Sequence, residues 1–197
     1  NLAWYMSSEE TKDFIERLGL PTTSIGLVEG TPSIAVECAS GMRELVSHLI
    51  EVHGYRRIAL IRGPEGHPEA EARYNAYAQT LAEHNIPLDP NLITPPYLWT
   101  DDWKRSSVDA IRCLLDERKL RPKVDLEVII GNNDASAVSA MELLRERGIQ
   151  VPLDVAVVGF DDHEISRFVT PSLSTVHQPI AQQSRWAAET LLAQLQG

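Results

Sequence analysis

The sequence has little cysteine, no long apolar run and no excess of positive charge. Cys38 and Cys113 are the only cysteines and lie in separate segments, which indicates a reducing compartment without a disulfide framework. No apolar run approaches the ~20 residues that a transmembrane helix needs. The formal net charge is -10 and the basic residues are scattered, which argues against direct binding to nucleic acid. We therefore expect a cytoplasmic protein without a membrane segment.

The motifs of common catalytic and metal sites are also missing. The segment Gly63-Pro64-Glu65-Gly66 does not fit a phosphate loop, because Pro64 lacks an N–H and no Lys-Ser/Thr pair follows. The histidines lack the spacing of metal ligands such as HExxH, and no GxSxG nucleophile elbow is present. We predict that the protein has no metal, no cofactor and no enzymatic activity.

Two apolar runs end in polar residues and organise the rest of the chain. Residues 155–158 (Val-Ala-Val-Val) and 128–130 (Val-Ile-Ile) do not alternate with polar residues, as in strands buried on both faces of a parallel sheet. Residues 160–162 (Phe-Asp-Asp) follow the first run, and residues 132–134 (Asn-Asn-Asp) follow the second. Ligands of open α/β sheets bind outside the carboxyl ends of the strands, so these side chains mark a predicted binding site.

The remaining pattern predicts an α/β fold with parallel, doubly wound sheets. Predicted strands alternate with helices of roughly 10–17 residues. Residues 41–53, for example, place apolar side chains on one face at steps of three and four. A helix is expected through about Lys119, and an irregular stretch is expected from residue 163 to Ser172. The 197 residues suffice for one large domain or two small lobes.

Short segments spread over most of the chain resemble one known family. They include residues 57–64 (Arg-Ile-Ala-Leu-Ile-Arg-Gly-Pro), 133–135 (Asn-Asp-Ala), 148–152 (Gly-Ile-Gln-Val-Pro), 158–162 (Val-Gly-Phe-Asp-Asp) and 173–178 (Leu-Ser-Thr-Val-His-Gln). In their order and spacing, these segments resemble the effector-binding core of the lactose-repressor (LacI/GalR) family, which has a periplasmic-binding-protein-like fold.

The resemblance implies two Rossmann-like lobes with a ligand between them. The N-terminal lobe would comprise residues 1–63 and 177–197, and the C-terminal lobe residues 64–176. The family's first strand and helix, its last strand and its DNA-binding headpiece have no counterpart in this sequence. We therefore interpret the chain as a fragment with a partial first lobe.

The resemblance also implies which side chains bind the ligand. Arg73 would donate from its guanidinium to hydroxyls or a carboxylate, Asp161 would accept from ligand hydroxyls, and Asn133 would do both. Trp103 would stack on the ligand and Phe160 would form the floor of the site. Ser40 and Trp4 complete the candidates, Ser40 standing where relatives often carry an aspartate.

Structural roles compete with several of these assignments. Arg73 could be an ordinary surface arginine, and Trp103 a partly buried indole that anchors the next helix. Asp162 fits a cap of the following turn better than a ligand contact. Asp134 fits an N-cap of the helix that is predicted to begin at Ala135.

The leading hypothesis is a small-molecule sensor domain of a LacI-type bacterial transcription regulator. A sugar or polyol would bind between the lobes, shift a homodimer interface and control DNA binding through a headpiece outside this chain. The same domain could instead serve a sensor kinase, a cyclic-dinucleotide synthase or a sugar transport receptor. A hydrolase or transferase on a flavodoxin-like sheet is the alternative of a different class.

Overall fold

The computed structural model describes residues 8–97 and 103–196. Seven α-helices are described in these ranges: α1 Ser8–Leu18, α2 Cys38–Glu51, α3 Pro68–Glu83, α4 Trp103–Arg112, α5 Asp134–Glu146, α6 Ile165–Phe168 and α7 Ile180–Gln196. Six strands are described there as well: β1 Ser24–Ile25, β2 Ser33–Ile34, β3 Ile58–Leu60, β4 Val128–Ile130, β5 Ala156–Asp161 and β6 Ser174–His177. A 3-10 turn, Pro90–Leu92, and a π-helical turn, Cys113–Glu117, complete the regular structure.

The chain divides into two compact units. Unit 1 consists of Asn1–Glu37 with Gln178–Gly197, and unit 2 consists of Cys38–His177. Residues 38–63 belong to unit 2 because β3 is hydrogen-bonded to β4. These boundaries differ from those of the predicted lobes, which end at residue 63. The compact units are defined by contacts within the chain, whereas the predicted lobes are defined by where the chain crosses from one lobe to the other. The lobe boundaries therefore stay a prediction.

Unit 2 contains a parallel sheet with the strand order β3-β4-β5-β6. A further extended segment lies along the other side of β3, where Ile93 bridges to Leu60 and the Tyr97 amide donates to the Arg62 carbonyl over 3.3 Å. In this sheet β3 is the first strand along the chain, the segment at Ile93 the second, and β4, β5 and β6 the third to fifth. The order across the sheet is therefore 2-1-3-4-5, as in doubly wound flavodoxin-like sheets. The predicted α/β class with a parallel, doubly wound sheet is confirmed.

The hydrophobic core of unit 2 is built from the elements that the sequence pattern predicts. Strands β3 and β4 are buried at every position, as expected for strands covered on both faces. Helix α2 buries Met42, Val46, Leu49 and Ile50, which recur at the predicted steps of three and four. The Tyr77 hydroxyl in α3 donates to the Ile58 carbonyl over 2.8 Å and so joins the helix to the start of β3.

One local prediction was wrong, because the stretch predicted to be irregular contains the short helix α6. The helix predicted through about Lys119 is helical to Glu117, but its α-helical part ends at Arg112. A π-helical turn, Cys113–Glu117, follows it and buries Cys113 and Leu114 in the core. The extra residue of a π-turn re-aims the following side chains, which an α-helical period cannot predict.

Unit 1 is a small assembly of short elements. Strands β1 and β2 pair in parallel, with Ser24 opposite Ser33. Helix α7 joins these strands, and the Gln194 side chain donates to the Thr22 carbonyl over 3.2 Å. Among the described residues of unit 1, Thr11 and Gln183 are the buried ones, and both are polar. This part of the chain therefore has no apolar core of its own among the residues that the structure describes.

Candidate functional site

The candidate site lies at the carboxyl ends of β3, β4 and β5 in unit 2. The chain runs from β3 to the segment at Ile93 in one direction and continues to β4 in the other, so the switch point of the sheet lies between β3 and β4. Such a switch point opens a crevice at the carboxyl edge of the sheet, where small ligands bind. All the side chains of this candidate site belong to unit 2.

Arg73 is the charged group at the centre of this site. It projects from the second turn of α3 and is 5% exposed. Its guanidinium donates a short hydrogen bond to the Asn132 carbonyl, and its central carbon lies 4.1 Å from the centroid of the Phe160 ring. Glu69 lies one helical turn earlier and contributes a carboxylate oxygen at 3.4 Å. The aromatic face, the carbonyl and the carboxylate together fix the direction of the guanidinium.

Phe160 and Asp161 bring β5 into the same site. Phe160 is 1% exposed and lies beneath the Arg73 guanidinium, so it forms a floor as well as part of the core. Asp161 is the last residue of β5 and has a φ of 127°, and Asp162 follows with a φ of 57°. Two successive positive φ values at non-glycine residues are rare and turn the chain sharply at the end of the strand.

Asp162 is held by basic side chains and does not cap a turn. Its Oδ2 lies 2.9 Å from Nδ1 of His177 and 3.4 Å from the Arg167 guanidinium. The hydrogen bond from His177 is the largest cause of the lowered pKa of Asp162, and the charge of Arg167 adds to it. The capping role expected for Asp162 is therefore wrong.

The roles predicted for Asn133 and Asp134 require a correction. Asn133 is the N-cap of α5, because its Oδ1 accepts from the Ser136 amide over 2.8 Å. Asp134 does not cap the helix: it is fully buried and accepts from the His163 amide over 2.7 Å and from the Thr175 hydroxyl. The Oδ1 atom of Asn133 is therefore used by the helix cap, and its side-chain NH2 group is the part that can donate to a ligand.

A small, shallow depression lies beside the Arg73 guanidinium. Most of its lining is apolar, with a few convergent polar groups, which is the usual composition of a small-molecule site. The Arg62 guanidinium lies 4.4 Å above the Tyr74 ring and forms two hydrogen bonds to Glu71, of 2.9 and 3.1 Å. The lining residues are Met42, Leu60, Ile61, Arg62, Gly63, Ala70, Arg73, Tyr74 and Asn132.

Comparison with known proteins places this architecture in a family. Residues 46–197 match the family model described as a periplasmic binding protein-like domain. The chain belongs to this family. The predicted resemblance to LacI-type effector-binding domains is confirmed by the relatives that follow.

Three relatives in the periplasmic binding protein-like family illustrate the match. The HTH-type transcriptional regulator CelR of Thermobifida fusca is 30% identical over 180 residues, which are 91% of this chain and 48% of that protein. The solved structure of a transcriptional regulator CelR–cellobiose complex has a TM-score of 0.80 at 29% identity and covers 94% of this chain and 55% of the other. The solved structure of a LacI family transcriptional regulator from Mycobacterium smegmatis has a TM-score of 0.87 at 25% identity. The match covers 98% of this chain and 68% of the other. The chain spans about half the length of the curated relative.

The predicted ligand contacts of this family domain fall into two groups. Arg73, Asn133, Phe160 and Asp161 lie at the carboxyl edge of one sheet, and Ser40 lies in the first turn of α2 in the same unit. Trp4 lies outside the described residues, and so does the side chain of Trp103, the first residue of α4. The ligand contacts themselves stay predictions.

Arg62, Tyr74 and Cys38 were not singled out from the sequence as site residues. Arg62 and Tyr74 line the depression, and Cys38 lies buried at the start of α2 close to Arg73. Asn132 was expected at this edge, but it contributes its backbone carbonyl to Arg73. Burial raises the pKa of the Cys38 thiol, although the Arg73 charge opposes this shift. Arg62 could have been found because it lies two residues after β3, at the carboxyl edge of the sheet, whereas the contribution of Cys38 depends on the packing of α2.

The described residues offer neither a metal site nor a helix that could span a membrane. Within residues 8–97 and 103–196, no group of three or more His, Cys, Asp or Glu side chains could hold a metal ion. None of the helices in these two ranges is both apolar enough and long enough to cross a bilayer.

Proposed function

We propose that this chain is the effector-binding domain of a LacI-type transcription regulator and that its effector is a sugar or a related polyol. The observation that carries the proposal is the Arg73 guanidinium, which is buried at the switch point of the sheet and fixed by Phe160 and the Asn132 carbonyl. A buried cation that is already oriented loses little conformational freedom when a ligand binds, so more of the interaction energy is available for affinity.

The polar groups around Arg73 suit a ligand with several hydroxyls. Arg73 can only donate hydrogen bonds, the Asp161 carboxylate can only accept them, and the Asn133 amide group donates. Asp161 has a side chain that is 16% exposed, so its carboxylate reaches the surface at the end of β5. Neighbouring hydroxyls of a sugar donate and accept in turn, and the apolar lining beside Arg73 suits the C–H faces of a sugar ring.

The output of the domain is proposed from the relatives. The curated match CelR is a transcriptional regulator, and a CelR structure contains cellobiose. We infer that this chain likewise acts in the cytoplasm, as a homodimer, on DNA that is bound by a headpiece outside the chain. The effector would act by binding one of two conformations more tightly than the other, and no catalytic step would be required.

Calorimetric titration with cellobiose and a panel of mono- and disaccharides tests the proposal. In the Arg73→Lys variant we expect the affinity for the sugar to fall by about 1–3 kcal/mol, because lysine keeps the charge but loses the planar fork of donors. Arg57→Lys is the matched control, since Arg57 pairs with Glu127 over 2.6 Å at the opposite, amino end of the same sheet. Unchanged affinity in Arg73→Lys, or equal losses in both variants, would contradict the proposed site.

A further inference from the structure

Asp134 is a buried carboxylate that the proposed binding contacts do not use. It is fully buried, and no described residue forms an ion pair with it. Its hydrogen-bond donors are the His163 amide, over 2.7 Å, and the Thr175 hydroxyl. Burying a charge without a cationic partner is unfavourable unless fixed dipoles replace the lost water, and the position in the first turn of α5 supplies part of this.

The carboxylate of Asp134 crosses over strand β5. Asp134 follows β4, whereas Thr175 belongs to β6, and β5 lies between these two strands in the sheet. The crossing passes directly above Gly159: a Cβ atom at this position would lie 2.2 Å from Oδ1 of Asp134. Glycine at the fourth position of β5 therefore makes room for the Asp134 carboxylate. The hydrogen bonds of this carboxylate to Thr175 and His163 form a polar tie that links β4 to β6 across β5.

This tie ends on the turn that carries Asp161. The two residues with positive φ, Asp161 and Asp162, are followed by His163, whose amide donates to Asp134. The Asp162 amide donates to the Thr175 hydroxyl oxygen over 3.3 Å, and that hydroxyl in turn donates to Asp134. Both amides after Asp161 are thereby anchored to one carboxylate. Backbone in such sparsely populated conformations persists when the surroundings hold it.

We infer that Asp134 is a positioning residue that holds the Asp161–His163 turn so that the Asp161 carboxylate faces the ligand. This inference rests on the proposed function for the role of Asp161, while the fixing of the turn itself does not depend on it. Thr175 is a second positioning residue of this turn, because its hydroxyl links the Asp162 amide to the Asp134 carboxylate.

A double-mutant cycle on cellobiose binding by the full chain tests the inference. We expect Asp134→Asn and Thr175→Val each to weaken cellobiose binding about tenfold, since each removes hydrogen bonds that fix the turn. In the Asp161→Asn background the same substitutions should change the affinity less than about twofold, because they act through the carboxylate of Asp161. Equal losses in both backgrounds would overturn the inference, since a general structural role is independent of Asp161.

Thr80→Val is the matched control for Thr175→Val. Thr80 is a fully buried threonine of unit 2, whereas Thr175 is half-buried, so the control removes a hydroxyl from the more buried site. The Thr80 hydroxyl donates to the Ala76 carbonyl within α3 over 2.7 Å. This substitution removes the same atoms from a buried site without involving the turn. Its effect on cellobiose affinity should stay below about twofold in both backgrounds.

Amide hydrogen exchange gives a readout that needs no ligand. In Asp134→Asn and Thr175→Val the amides of Asp162 and His163 should exchange about tenfold faster or more, while the amides of β4 and β5 keep their protection. If the parent chain binds no sugar and this local change is seen, Asp134 fixes the turn and the proposed function falls. If the amides of Asp162 and His163 keep the parent rates in both variants, the positioning role falls whatever the chain binds.

Discussion

Phe160 and Arg73 show how a single aromatic side chain can serve the core and the site together. Phe160 is among the largest fully buried side chains, and its outward face lies under the Arg73 guanidinium. A charge on the face of an aromatic ring is stabilised without a full set of ionic partners. The site therefore does not stand on a flexible loop but on the same packing that stabilises the sheet.

Gly159 provides a prediction at the level of one residue. A methyl group at this position would lie 2.2 Å from Oδ1 of Asp134 and 2.9 Å from Cδ2 of Leu173. Gly159→Ala should therefore lower the free energy of unfolding by about 1–3 kcal/mol, as overpacking of a close-packed core does, in urea denaturation. The double variant Gly159→Ala, Asp134→Ala should lose less than the sum of the two single losses. Additive losses would show that the carboxylate is not the atom that excludes the side chain.

The sequence predicted the location of a residue correctly where that residue lies at the end of a buried strand. Asp161 and Phe160 follow a buried run, and their place at the carboxyl edge follows directly from it. Asn133 and Asp134 are adjacent and both suit an N-cap, so the sequence alone could not determine which of them caps α5. The exchange of their roles depends on Thr175 and His163, which are distant in sequence.

At the level of elements, the ends of α2 and α3 are joined by a histidine. Nδ1 of His84 lies 2.8 Å from the Thr80 carbonyl oxygen, and Nε2 lies 2.8 Å from Oε1 of Glu51 in α2. A carbonyl and a carboxylate can only accept hydrogen bonds, so both interactions are complete when both ring nitrogens carry protons. The hydrogen bond that His84 donates to Glu51 is the largest cause of the raised pKa of His84, followed by the bond to the Thr80 carbonyl, with the charge of Glu83 adding to them.

This arrangement predicts how stability depends on pH. Because the pKa of His84 is higher in the folded chain than its ordinary value of 6.5, its contribution is fully present below pH 6.5 and is lost as the pH rises through the folded-state pKa. The free energy of unfolding should fall over this range, and the Glu51→Gln variant should show a smaller fall. Urea denaturation across pH, with an NMR titration of the His84 ring, measures both quantities. An identical pH dependence in the parent and Glu51→Gln would exclude this pair as the cause.

The sequence predicted long elements well and short ones poorly. Helix α2 is long and carries a clear apolar period, and it was predicted to within a few residues. Helix α6 has four residues, too few for a period or for independent stability, so it depends on its neighbours. Its position follows from the turn at Asp162, whose carboxylate binds Arg167 of this helix.

At the level of the whole molecule, the apolar core is unevenly distributed. All the buried hydrophobic residues among those described lie between Cys38 and Leu173, within unit 2. In the described part of unit 1, large apolar side chains such as Leu27 and Leu195 are instead exposed. Few buried apolar contacts mean low local stability, so the two units should differ in how readily they open.

Native-state hydrogen exchange of the full chain measures this difference. We expect the amides of β1, β2 and α7 to exchange about tenfold faster or more than those of β4 and β5, since opening of unit 1 exposes little apolar surface. The amides of α2, which has a similar length to α7 but a buried face in unit 2, are the internal control and should be protected. Equal protection of α2 and α7 would contradict the expectation.

The hydrogen bonds of Asp134 across β5 also limit which residues can be changed to alter the proposed effector specificity. An outward-facing position such as Asp161 can accept other polar side chains that tolerate its positive φ, since a separate group fixes the backbone beneath it. Asn133 has less freedom, because its side-chain oxygen caps α5. Positions 134 and 159 have no such freedom, because the acid at one and the missing side chain at the other occupy the same space. Effector specificity and the scaffold that presents it are thus assigned to different residues, and libraries for a new effector should vary the first set only.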